Sequence, residues 1–194
     1  MALEFTTLQH PEWIGYRKLT RRTGMIDATG EPPDGESLWR FSLAFYAHPG
    51  VSEALIGLQD RAGCDVNLML FALWLGASGR SRLSEEKLAI ADRIARPIGV
   101  DILEPLRALR RKLKSDPDVD IQRLREGIKA LELAAERIVQ SHLARIAGSP
   151  GSGADPTARA AAAHANLALY LGPEIACGPE AATIGEALEA FVRG

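Results

Sequence analysis

The stretch DVNLMLFALWLG, residues 65–76, decides the fold of this chain. Between Val66 and Leu75 its residues are apolar on every side of a helix, and Asn67 is the one interruption. In a water-soluble protein, a helix of this kind has to be surrounded by neighbouring helices. The run is also far shorter than the roughly 20 residues that a membrane span needs. The stretch therefore predicts the central helix of an all-α bundle, with Asp65 as its N-cap.

Apolar residues recur at helical spacing on both sides of this segment, and no stretch alternates apolar and polar residues for long enough to form a strand. The pattern predicts a single bundle of about six to eight helices over residues 37–194. Residues 1–36 are rich in turn-forming residues and predict a loosely ordered extension, and a flexible linker is expected near 148–155. The sequence predicts the first helix at about 37–47, the sixth at about 121–147, and the last two at about 156–171 and 183–192.

Two details of the packing follow from the same patterns. Ser37 is expected to cap the first helix, and Pro97 with Gly99 is expected to break or kink the fourth. The long sixth helix carries apolar residues that alternate in spacing by four and three, which predicts a seam for antiparallel packing. This seam consists of Leu124, Ile128, Leu131, Ala135, Ile138 and His142.

Composition excludes some classes of function. The 194 residues have a net charge of −2, whereas a dedicated nucleic-acid-binding protein is usually strongly basic. The two cysteines, Cys64 and Cys177, show no zinc-binding spacing, and we expect both to be reduced and buried. The N-terminus lacks the pattern of a secretory signal. The cytoplasm is therefore the expected compartment, and no cofactor or metal is predicted.

Four segments resemble a known family. They are LWRFSLAFYAHPGVSEALIGLQDRAGCDVNLMLFALWLG (38–76), EPLRALRRKLK (104–114), ALELAAERIVQ (130–140) and ANLALYL (165–171). Together they resemble an uncharacterised family of small all-helical proteins from proteobacteria, a domain of unknown function, over about Leu38 to Leu171. The resemblance implies an all-helical cytoplasmic protein of bacterial source, and it implies no activity.

A polar pocket is one candidate site. Asp60, Asp65 and Asn67 flank a glycine turn, and Trp39 falls off the main apolar stripe of its helix. Together these four residues could bind a small ligand. On the structural alternative, Asp65 only caps the central helix, Asn67 hydrogen-bonds to a neighbouring helix and Asp60 pairs with an arginine. The structural alternative is favoured.

Two charged groups have a second possible use. Glu132 and Glu136 share a helix face, but the Glu-x-x-His pairs of di-metal bundles are missing, so salt bridges to Lys129 or to the fifth helix are favoured. The fifth helix is expected to turn Leu106, Leu109 and Leu113 inward and its basic residues outward. That basic surface, a candidate for RNA, a phosphate-bearing ligand or an acidic partner, consists of Arg107, Arg110, Arg111, Lys112 and Lys114.

No catalytic motif occurs, so the sequence leaves the question of an enzyme open and leans against one. The first hypothesis is a non-enzymatic adaptor or regulator that binds another protein. The second is a small-ligand pocket or enzyme built around Asp60, Asp65 and Asn67, and the third is weak RNA or ribosome association through residues 107–114. No membrane partner is expected, and the oligomeric state stays open.

Overall fold

The computed structural model describes residues 34–80, 82–151 and 155–193. In this part of the chain, eight α-helices and one π-helical turn follow one another without a strand. The helices are α1 Asp34–Tyr46, α2 Val51–Ala62, α3 Val66–Ala77, α4 Glu85–Ile98, α5 Glu104–Lys112, α6 Val119–Ala144, α7 Pro156–Ala176 and α8 Pro179–Arg193. The π-helical turn Gly99–Leu103 joins α4 to α5. The predicted all-α fold is confirmed.

Helix α3 is the centre of the bundle. Residues 67–77 are buried, and helices α1, α2, α4, α6 and α7 all contact it. One carboxylate oxygen of Asp65 accepts hydrogen bonds from the backbone N–H groups of Asn67, at 2.7 Å, and Leu68, at 3.3 Å. Because these N–H groups have no partner within the first turn of the helix, the aspartate stabilises the start of α3. Both the central helix and its cap are as predicted.

The backbones of α3 and α7 come very close at Gly76. A β-carbon on Gly76 would lie 2.6 Å from the backbone carbonyl carbon of Ala162 and closer still to the backbone of Ala163. Atoms that are not bonded to each other cannot come this close, so only glycine permits the observed contact. Gly76 therefore sets the distance between these two helices.

Asn166 joins α7 to two other parts of the bundle. Its Nδ2 donates a hydrogen bond to the backbone oxygen of Ala72 at 3.1 Å, and its Oδ1 accepts one from the backbone N–H of Leu83 at 2.7 Å. The side chain is buried, so these bonds satisfy groups that would be costly to leave unpaired. Asn166 thus fixes the segment before α4 against the central helix.

The first part of the bundle corrects two predictions. Leu38, Phe41 and Phe45 are buried as the helical spacing indicates. However, α1 begins at Asp34, so Ser37 lies inside the helix and does not cap it. The prediction at Pro97 and Gly99 is corrected in part: the α-helix ends between them, at Ile98, but the π-helical turn continues the chain directly into α5.

Helices α5 and α6 also differ from the prediction. No residue of α5 is buried: Leu109 is exposed and Leu106 is only half-buried, as is Leu113 directly after the helix. In the predicted seam of α6, Ile128 and Ala135 are buried, but Leu124, Leu131 and Ile138 are exposed. The core face of α6 is formed instead by Ile128, Glu132, Leu133, Ala135, Val139, Gln140, Leu143 and Ala144. The helix carries two apolar faces, and the bundle covers one of them.

The remaining boundaries are close to those expected. Helical geometry in α7 is interrupted at Gly172, one residue after the predicted end, and α8 begins at Pro179, earlier than predicted. The predicted extension falls almost wholly on residues 1–33, which lie outside the described residues, as do residues 152–154 of the predicted linker. The division into an extension and a bundle therefore stays a prediction.

Replacing Gly76 by alanine tests the close approach of α3 and α7. We expect Gly76→Ala to lower the free energy of unfolding by at least about 3 kcal/mol, because the new methyl group must force two backbones apart. Gly127→Ala is the matched control: Gly127 lies inside α6, and a β-carbon there would have no atom within 4 Å, so alanine should be neutral or stabilise by up to about 1 kcal/mol. Urea unfolding monitored by circular dichroism gives the free energy of unfolding of both variants. An equal loss of stability in the two would contradict the close approach of α3 and α7.

Candidate functional site

A cleft of about 330 Å³ opens where four parts of the bundle meet. They are the end of α2 with the turn into α3, the C-terminal half of α4, the π-helical turn with one side of α5, and Tyr170 on α7. This volume is at the lower end of the range of small-molecule sites. Apolar surface comes from Cys64, Leu68, Val100 and Leu103, and the charged lining residues are Asp60, Asp65, Asp92, Arg96, Glu104, Arg107 and Arg111.

The π-helical turn shapes one side of this cleft. Pro97, at the end of α4, has no N–H to give to the preceding helical turn. In the turn that follows, the N–H of Glu104 bonds to the oxygen of Gly99, five residues back. A β-carbon on Gly99 would lie 3.6 Å from the Oδ2 atom of Asp65, so the backbone of the turn passes close to that carboxylate. Wide turns of this kind occur frequently at functional sites.

Tyr170 fixes the position of Asp65 from the opposite helix. Its hydroxyl oxygen accepts a hydrogen bond of 2.6 Å from the backbone N–H of Asp65. Burial raises the pKa of Tyr170, so the hydroxyl keeps its proton at neutral pH. Because Oδ1 of Asp65 already caps α3, its Oδ2 is the carboxylate oxygen left for a bound molecule.

Some charges of the cleft are already committed to partners. Arg96 donates hydrogen bonds to both carboxylate oxygens of Asp92, at 2.7–3.0 Å, and Arg107 donates one of 2.6 Å to Glu136 behind the cleft. Within the described residues, no ion pair involves Asp60, Asp65, Glu104 or Arg111. These four residues are three carboxylates and one guanidinium, so the net charge of the cleft groups outside ion pairs is negative.

Behind the cleft, two carboxylates hold α5 against α6: Glu132 is buried and Glu136 is half-buried. Glu132 accepts a hydrogen bond of 2.6 Å from Arg110, and Glu136 accepts one of the same length from Arg107. Burial raises the pKa of Glu136, the nearby carboxylates of Glu132 and Asp65 add to this, and Arg107 opposes it. The predicted salt bridges to the fifth helix are confirmed. The prediction that all the basic side chains of α5 point outward is wrong for two of them, because Arg107 and Arg110 face α6.

The four residues of the predicted pocket separate into two groups. Asp60 and Asp65 both line the cleft, and Asp65 also caps α3. Asn67 and Trp39 are buried and are not part of the lining. The expected pairing of Asp60 with an arginine does not occur among the described residues. The cleft thus contains half of the predicted set, and its other charged groups come from α4 and α5.

Asn67 belongs instead to a chain of buried hydrogen bonds across three helices. Ser42 of α1 donates to Oε1 of Gln140 on α6 at 2.9 Å, and Nε2 of Gln140 donates to Oδ1 of Asn67 on α3 at 3.1 Å. All three side chains are buried. The predicted hydrogen bond of Asn67 to a neighbouring helix is therefore confirmed, and it explains a polar residue in an otherwise apolar helix.

Sequence reasoning missed Glu104, Arg107 as a cleft residue, and Tyr170. Tyr170 lies 105 residues after its partner Asp65, and no local spacing connects the two. The Pro97-Ile-Gly99 stretch was a usable signal, since it marked the point where regular helical geometry changes. It indicated a break in the helix, however, and not the wall of a cleft.

A second cleft, of about 510 Å³, lies between α7 and α8 and includes His164, Glu189 and Arg193. Its charged groups are committed to one another. Arg193 donates a hydrogen bond of 2.7 Å to Glu189, and the other carboxylate oxygen of Glu189 lies 3.9 Å from Nε2 of His164. This cleft offers less uncommitted charge than the first, which we therefore consider the better candidate.

Three further findings concern the described part of the chain. It contains no group of three or more histidine, cysteine, aspartate or glutamate residues placed to hold a metal ion. None of its helices is both long and apolar enough to cross a membrane. Both cysteines are free thiols, but Cys177 is exposed, so the prediction of two buried thiols holds for Cys64 alone.

Comparison with known proteins identifies the family. The profile of a family described as a protein of unknown function, DUF2390, matches residues 37–143, which is more than half of the chain. The chain belongs to this family, and the resemblance to a domain of unknown function is confirmed over this range. The segment ANLALYL, which contains Tyr170, lies beyond the matched residues. No curated protein and no solved structure matches the chain.

The buried ion pairs between α5 and α6 can be tested by removing one partner. We expect Glu132→Ala to lower the free energy of unfolding by about 3 kcal/mol, because it removes the buried carboxylate whose ion pair with Arg110 holds α5 against α6. Glu126→Ala is the control: it removes pairs to Arg125 and Lys129, but its side chain is 61% exposed, against 7% for Glu132, so the change should stay within about 1 kcal/mol. Chemical unfolding measures both changes, and an equal loss of free energy of unfolding in the two variants would contradict the prediction.

Proposed function

We propose that this protein binds a small, positively charged organic molecule in the cleft between α2, α4, α5 and α7. The observation that carries the proposal is the set of carboxylates there that have no ion-pair partner among the described residues. In the part of the chain that the structure describes, Asp60, Asp65 and Glu104 line the cleft with one cation outside an ion pair, Arg111, once the pairs of Arg96 and Arg107 are discounted. An ammonium or guanidinium group would neutralise this excess.

The rest of the lining fits a ligand with a short aliphatic body. Leu68, Val100 and Leu103 offer apolar surface beside the carboxylates, and Tyr170 offers a protonated hydroxyl that can donate one hydrogen bond. Sites for small molecules combine apolar surface with a few placed polar groups in this way. The proposal is one of binding, and the chemistry of the lining gives no reaction to assign.

The other hypotheses from the sequence have less support. An adaptor that binds another protein stays a prediction, since nothing in the cleft bears on it. Of the five basic residues offered to RNA, Arg107 and Arg110 are engaged with Glu136 and Glu132, which leaves Arg111, Lys112 and Lys114 exposed. We keep a bacterial source and the cytoplasm as the proposed setting, and two free thiols fit a reducing compartment.

A matched series of four-carbon molecules tests the binding proposal. Titration of the protein with 1,4-diaminobutane, butane-1,4-diol and succinate, followed by NMR chemical-shift changes, should give saturable binding of the diamine alone. Asp60→Asn should weaken that binding about fivefold, since one exposed ionic contact contributes about 1 kcal/mol. Glu186→Gln removes an exposed carboxylate on α8, away from the cleft, and should leave the affinity unchanged.

Two results would contradict the proposal. One is binding of succinate at least as tight as that of the diamine, and the other is an equal effect of Asp60→Asn and Glu186→Gln. Shifts of the diamine titration should also concentrate on residues that line the cleft, such as Gly63, Gly99 and Tyr170.

A further inference from the structure

Helix α6 carries an apolar face that the described bundle leaves uncovered. Leu124, Leu131 and Ile138 follow one another at intervals of seven residues, so they share one side of the helix, and they are 54%, 58% and 50% exposed. The exposed small residues Gly127 and Ala134 lie between them on the same side. We call these five residues the outer stripe; it is about 21 Å long and contains no charged residue.

From this surface we infer that two copies of the chain associate through α6, with their helices antiparallel. If the two-fold axis passes between positions 132 and 133, Leu131 faces Ala134 of the second copy and Ile138 faces Gly127 of the second copy. Leu131 and Ile138 then each meet a small residue of the second copy. Gly127 has open space around it, since no atom lies within 4 Å of its β-carbon position. A two-fold contact needs a surface that complements itself, and this spacing provides one.

The charges at the two ends of the stripe support the same register. Arg145 follows α6 on the same helical track, is exposed and has no ion pair among the described residues. In the antiparallel arrangement it faces Asp120 of the second copy, at the N-terminal end of α6, and two-fold symmetry repeats this pair at the other end. Asp120 is 84% exposed; one of its carboxylate oxygens pairs with Arg123 at 2.7 Å, which leaves the other oxygen for Arg145. Antiparallel helices also bring opposite ends of their dipoles together.

Charge complementarity favours a second copy over an unrelated helix as the occupant. An unrelated partner would need its own small residues and charges in this order, whereas α6 already contains both halves of the match. The surface is small beside that of permanent dimers, so we expect reversible association that rises with protein concentration. This inference does not depend on the cleft, which lies on other elements of the bundle.

Sedimentation equilibrium of the full chain, from about 10 µM to about 1 mM, tests the association. The unmodified protein should form dimers as concentration rises. Leu131→Asp should weaken dimerisation at least tenfold without lowering the melting temperature, because the residue is exposed in the monomer. Leu169→Asp is the control, since Leu169 is an exposed apolar residue on α7 and its replacement should leave the association unchanged.

A charge exchange tests the register. Arg145→Asp and Asp120→Lys should each weaken dimerisation, and the variant with both substitutions should recover it, since each new charge again faces its opposite. Damage to the fold cannot produce such a recovery. A protein that stays monomeric throughout, a dimer insensitive to Leu131→Asp, or a double variant weaker than either single one would overturn the proposal.

A photo-reactive benzoylphenylalanine at position 131 identifies the occupant directly. With isotopically labelled and unlabelled copies mixed, cross-links between copies that map to residues 127–138 support the antiparallel dimer. Cross-links within one copy to residues 1–33, or to a different protein in a lysate, would assign the outer stripe to another occupant and overturn the inference.

Discussion

The structure depends on the need to surround helix α3 completely. This helix has no polar face to turn toward water, so five other helices cover it, and the contact with α7 is close enough to require glycine at position 76. A helix enclosed in this way has little freedom to rotate or slide, because its neighbours pack against all of its sides. The polar residues at its start and within it, Asp65 and Asn67, are therefore held in fixed positions.

The candidate site follows from this fixed position. Asp65 serves three purposes: its side chain caps α3, its backbone N–H is held by Tyr170, and its second carboxylate oxygen stays available in the cleft. The π-helical turn then brings the backbone at Gly99 close to that oxygen, and α5 contributes Glu104 and Arg111 to the same cleft. A ligand would thus meet groups on elements of the bundle that are already rigidly packed, which favours specific binding.

Polar side chains inside the bundle specify which helices are neighbours. Apolar packing alone tolerates several arrangements, but a buried hydrogen bond requires its partner to be in one place. Ser42, Gln140 and Asn67 connect α1, α6 and α3, while Asn166 connects α7 with α3 and the segment before α4. The ion pairs of Glu132 and Glu136 do the same for α5 and α6.

The sequence by itself determined the fold class, the central helix with its cap, and the buried face of α1, because each rests on a local spacing of apolar residues or on a capping side chain next to its helix. It did not determine which face of α6 enters the core. Leu124, Leu131 and Ile138 are as apolar and as regularly spaced as the residues that are buried, and only the positions of the neighbouring helices decide between the two faces. The residues of the cleft could be predicted only in part, because the sequence shows which residues are close along the chain and not which helices become neighbours. Asp60 and Asp65 are close in sequence, whereas Glu104, Arg107 and Tyr170 reach them through tertiary packing, which no spacing along the chain encodes.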